Sequence, residues 1–134
     1  MKKYLIIGLA LLQMIAICAC SGKETGVLSI GERESIAEIT FSNGSETNTI
    51  TDEAEKDALF SILSEEMIKE KGSYYDTPQV NTYITVDFKR GNKAYETVYV
   101  YEKGGRFFAE QPYNGIFSLT EEEYNVISGL RGRI

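Results

Sequence analysis

Two carboxylates stand in turn-like settings where chemistry is conceivable. Asp76 opens Asp76-Thr77-Pro78, and Glu110 heads Glu110-Gln111-Pro112-Tyr113-Asn114-Gly115-Ile116-Phe117. A carboxyl pair is the equipment of glycoside hydrolysis, provided the two groups face each other across a sugar-binding cleft. Nothing in the spacing of these residues places them so. A chain this short without Trp also has little wall for such a cleft. No enzymatic activity is therefore expected. In the plainer reading Asp76 accepts backbone N–H bonds at the start of a turn. The Glu110 segment has its own two readings. Pro112 fixes φ and Gly115 permits a positive φ, so it is either a rigid loop presenting Tyr113 and Glu110 to a ligand or a turn whose aromatics plug the end of a sheet. Loop aromatics in small domains usually complete the core, which favours the structural reading.

What is missing narrows the chemistry further. The chain has no His. That removes the commonest general base, the Ser–His and Cys–His nucleophile pairs, and the usual zinc sites. There is no acidic calcium loop and no Gly-rich phosphate loop, so neither metal nor cofactor is expected.

Tyrosines are the better binding candidates. Tyr95, Tyr99 and Tyr101 share one face of an alternating stretch, and Tyr83 joins them from the neighbouring strand. Tyr offers a large contact area with a polar tip at low entropic cost. Equally, Tyr and Thr simply suit a half-exposed sheet.

The two cysteines, Cys18 and Cys20, lie at the end of the N-terminal segment. Lys2 and Lys3 precede the apolar residues 4–17, and Ile17-Cys18-Ala19-Cys20 follows. This resembles a bacterial lipoprotein signal, with residues 1–19 removed and Cys20 lipidated. The apolar run is shorter than the about 20 residues of a membrane-spanning helix. Ile17 also does not fit an A-x-A-like cleavage site. The expected location is thus the extracytoplasmic face of the cell membrane, held by the lipid on Cys20. Loss of the signal lowers the 14 Lys and Arg to 12 against 20 Asp and Glu, a net charge of −8. Such acidity argues against nucleic acid, which needs a basic footprint.

Residues 20–31 are polar and glycine-bearing and read as the lipidated Cys and a flexible tether. Residues 32–134 read as one domain. Residues 32–42 alternate, Asn43-Gly44 signals a turn, and residues 47–50 return as a second strand. Residues 52–71 predict the main helix. Asp52 caps it, Leu59, Ile62, Leu63 and Met67 form its apolar face, and Gly72 stops it. Residues 73–78 read as a loop. Residues 80–89, 94–102 and 106–110 predict a meander turned at Gly91-Asn92 and Gly104-Gly105. Residues 111–118 read as a loop or short strand. Thr120 and Glu123 predict a capping box for a short helix over 121–128, with Gly129 beyond it. The expectation is an α+β fold, an antiparallel sheet in ββαβββα order with the main helix on one face.

Ser73-Tyr74-Tyr75-Asp76-Thr77-Pro78 ahead of a strand, paired with Glu110-Gln111-Pro112-Tyr113-Asn114-Gly115-Ile116-Phe117, resembles a family of small Firmicutes lipoproteins known only as a domain of unknown function. The resemblance spans about residues 34–130. It implies a lipoprotein signal and a shared fold, and no activity. The function expected is a membrane-anchored, non-catalytic binding module for an envelope protein or peptide. The alternative is an immunity- or inhibitor-type lipoprotein that sequesters a cationic peptide at the membrane surface.

Overall fold

The apolar alternation of the C-terminal half builds the centre of the fold. Ile84, Val86 and Phe88 are buried on one side of a strand, with Thr85, Asp87 and Lys89 on the other. Val86 lies opposite Val98, and Ile84 opposite Val100. A computed structural model describes residues 22–91 and 94–131. The expected signal and Cys20 lie outside the described residues.

The elements run β1 (Thr25–Gly26), β2 (Ile36–Asn43), β3 (Glu46–Ile50), α1 (Glu53–Ser64), β4 (Met67–Lys71), β5 (Ile84–Arg90), β6 (Ala94–Lys103), β7 (Arg106–Gln111), β8 (Gly115–Leu119) and α2 (Glu121–Arg131). They form one eight-stranded sheet in the order β1-β4-β8-β7-β6-β5-β2-β3. Every pairing is antiparallel. The core lies on the face that carries Val86, Val98, Ala109 and Phe117. Leu59 and Leu63 of α1 and Ile127 and Leu130 of α2 close it. Each such side chain, once buried, contributes about 1.5–3 kcal/mol.

This corrects the expected ββαβββα order with one main helix. The protein is mostly antiparallel sheet with two short helices, α+β only in that broad sense. The largest difference is α1, which ends at Ser64 rather than near Lys71. Met67 continues the helical spacing of Leu59 and Leu63, which made the longer helix plausible. Glu65 and Glu66 follow Ser64, however, and acidic residues at a helix C-terminus oppose the macrodipole. Residues 67–71 instead extend, burying Met67 and exposing Ile68, and pair with β8. The second difference is residues 25–30, expected as part of a tether. Gly26 pairs with Met67, and Leu28 and Ile30 are buried in the core. Third, β5 begins at Ile84 rather than at Val80, while residues 115–119 take the short-strand alternative.

The turns follow their residues. Gly104 and Gly105 have φ of 61° and 75°, both positive as a two-residue hairpin loop prefers. Asp52 caps α1, accepting from the Ala54 N–H at 3.1 Å. Thr120 Oγ1 accepts from the Glu123 N–H at 3.1 Å, and a Glu123 carboxylate oxygen lies 3.4 Å from the Thr120 N–H, the expected capping box of α2.

Candidate functional site

The sheet face opposite the helices positions the site. Tyr99 of β6 lies opposite Glu110 of β7, and Tyr101 opposite Phe108. These residues therefore point away from the Val and Ala side. Segment 72–83, which links β4 to β5, runs against this face. It buries Ser73 and Pro78.

Glu110 is the centre of the arrangement. It is 3% exposed. Its Oε1 accepts from Ser73 Oγ at 2.7 Å, and its Oε2 accepts from the Tyr101 hydroxyl at 2.9 Å. No cation among the described residues pairs with it. A buried carboxylate held only by hydroxyls is costly, because neutral donors replace hydration incompletely. Burial pushes the Tyr101 hydroxyl far above the ordinary phenol range, and the bond to Glu110 and its charge push it further. Burial also raises Tyr99, followed by Tyr83 and the carboxylates of Asp87, Asp76 and Glu110. Tyr83 meets Tyr99 edge-on, with ring centroids 5.1 Å apart.

A cavity of about 240 Å³ opens beside Glu110. Tyr74, Tyr75 and Tyr101 supply aromatic wall, and Lys71 and Lys103 complete it. The same two lysines, with Tyr101 and Ile116, also line an adjoining groove that extends to Glu70 and Arg106. At its far end Arg106 donates to Glu70 at 2.5 Å, and Ser118 Oγ donates to the same oxygen at 2.6 Å.

The neighbours of Glu110 have separate work. Gln111 binds the backbone of Ser29, and Asn114 Nδ2 donates to the Val27 carbonyl at 3.1 Å. The Asn114 N–H donates to the Gln111 carbonyl at 3.1 Å, closing a turn with Pro112 and Tyr113 at its centre. Tyr113 has φ 62°, and it is the one non-glycine at positive φ among the described residues. That place in a turn behind proline normally favours Gly or Asn. Its hydroxyl donates to Asp76 at 2.6 Å, which raises its pKa. The segment thus ties the N-terminal residues and the 72–83 loop to the sheet.

Of the residues named from the sequence, Tyr101 and Glu110 are brought into one cluster, and Tyr83 and Tyr99 into a second contact beside it. Tyr101 is 5% exposed because segment 72–83 lies over this face, so only part of the Tyr face meets solvent. Tyr95 and Tyr113 are exposed and stand outside the cavity wall. Asp76 and Glu110 bond to different tyrosines, Tyr113 and Tyr101. Ser73, Lys71, Lys103 and Tyr74 were missed. The resemblance segment contains Ser73 and Tyr74; no signal in the sequence pointed to Lys71 or Lys103. Among the described residues, no three Asp, Glu, His or Cys side chains converge as a metal site needs.

No curated protein matches the chain. The fold is similar to a solved structure, the "NMR structure of the protein from Ruminococcus gnavus", with a TM-score of 0.59 and 23% identity over 75% of this chain and 99% of that one. Residues 26–118 match the model of DUF5301, described as "Domain of unknown function (DUF5300)", and the chain belongs to that family.

Proposed function

We propose that this protein is a lipoprotein of the small Firmicutes type, anchored through Cys20 on the extracytoplasmic face of the membrane, and that its domain is a non-catalytic binding module. The recognition site in this reading is the cavity between segment 72–83 and the sheet. The observation that carries it is Glu110, a buried carboxylate that no cation among the described residues pairs with, beside a cavity. Proteins rarely keep such a group for stability alone. The rim lysines, Lys71 and Lys103, do not favour a purely cationic peptide at this place.

Two measurements test the reading. Palmitate incorporation in a bacterial host should be lost in Cys20→Ser; equal incorporation would remove the anchor. Amide chemical shifts of the labelled protein should move at Ser73, Tyr101 and Glu110 on titration with fractionated envelope extract. Shifts confined to other surfaces would remove this face as the site.

A further inference from the structure

Resting on that binding reading, we infer that the cavity takes a small zwitterion, with its ammonium group against Glu110 and its carboxylate between Lys71 and Lys103. Three features of the lining agree on this. Glu110 is a carboxyl group that two hydroxyls hold and that no cation among the described residues balances. An ammonium placed beside it makes a charge-assisted hydrogen bond in a poorly hydrated site, where such bonds are strongest. Tyr74, Tyr75 and Tyr101 line the same space, and tyrosine faces attract cations.

The lysines supply the opposite charge. Their side chains form no hydrogen bond or ion pair among the described residues, whereas Arg106 is bound to Glu70. Both line the cavity and the groove that adjoins it. In a chain this acidic, two unpaired lysines converging on one cavity are a local reversal of charge. One carboxylate, three aromatic rings and two lysines thus line one space. A ligand with one charge of each sign matches that lining. A purely anionic ligand meets Glu110, and a purely cationic one meets the lysines. The volume of about 240 Å³ suits an amino acid or the terminal residue of a short peptide.

Titration calorimetry on the full chain in non-ionic detergent tests this with four probes. These are γ-aminobutyrate, propylamine, butyrate and triglycine. The zwitterions should bind at least about tenfold more tightly than propylamine or butyrate, the worth of one charge-assisted hydrogen bond. Glu110→Gln should remove the advantage over butyrate. Lys71→Met with Lys103→Met should remove the advantage over propylamine. Should the buried Glu110→Gln variant fail to fold, the exposed lysine pair carries the test. Triglycine binding as well as γ-aminobutyrate assigns a peptide end; triglycine binding much more weakly assigns a free amino acid. The inference is overturned if no probe binds below about 10 mM, or if butyrate equals the zwitterions. If envelope extract still shifts the amides of Ser73, Tyr101 and Glu110, the binding module stands with another ligand. If neither probe nor extract does, both readings fall.

Discussion

Gln111 holds Ser29 by two opposed hydrogen bonds. The Gln111 Nε2 donates to the Ser29 carbonyl at 2.9 Å, and the Ser29 N–H donates to Gln111 Oε1 at 2.7 Å. A side-chain amide here takes the place of a neighbouring strand. It satisfies the backbone between buried Leu28 and Ile30, where an unpaired group is expensive. Asn114 Nδ2 also donates to Gln111 Oε1 at 2.7 Å, fixing which way the amide points.

Gln111→Leu should therefore cost about 1–3 kcal/mol, the range for leaving buried polar partners unmade. The loss should appear first as faster amide exchange at Leu28, Ser29 and Ile30, and then as a lower urea midpoint. An unchanged midpoint would mean that water replaces the side chain.

The Glu110 cluster predicts coupling between two hydroxyls. Tyr101→Phe and Ser73→Ala should each destabilise by about 1 kcal/mol. The double variant should depart from the sum, because both hydroxyls serve one carboxylate. A double-mutant cycle by chemical denaturation reads this directly. Additive losses would show that each oxygen of Glu110 is held independently.

Alkaline pH should destabilise the protein through buried Tyr101 and half-buried Tyr99. The raised values of Tyr101 and Tyr99 mean that the folded state favours the protonated ring. Below the unfolded value of about 10 both states hold the proton and the stabilisation is complete. As pH rises past about 10, the unfolded chain releases a proton that the folded chain keeps, so stability falls with pH. Urea midpoints taken across this window should decline, and Tyr101→Phe should flatten the decline. A slope indifferent to that change would place the sensitivity elsewhere.

Gly31 has φ 77°, and a Cβ there would strike the guanidinium of Arg90. Gly31→Ala should cost more than about 1 kcal/mol, from left-handed backbone strain plus displacement of Arg90. In an Arg90→Ala background only the backbone share should remain. Equal losses in both backgrounds would show that Arg90 moves aside freely.

Local elements whose physics is contained in a few neighbouring residues are legible in the amino-acid order alone. Thr120 and Glu123 specify the start of α2, Gly104 and Gly105 the β6–β7 turn, and the alternation around Val86 and Val98 the paired central strands. Tertiary structure decided what depends on distant partners. Met67 satisfies a helical period and a strand period equally, and only pairing with β8 selects the strand. Leu28 and Ile30 sit among tether-like residues, and Gln111, far along the chain, draws them in. Glu110 and the Tyr stripe were visible as residue types. That Ser73 would be folded back to hold Glu110, leaving Tyr101 buried while Tyr95 stays in solvent, follows from the path of segment 72–83 over the sheet. No local periodicity encodes that path, because it is fixed by contacts between residues that the sequence keeps far apart.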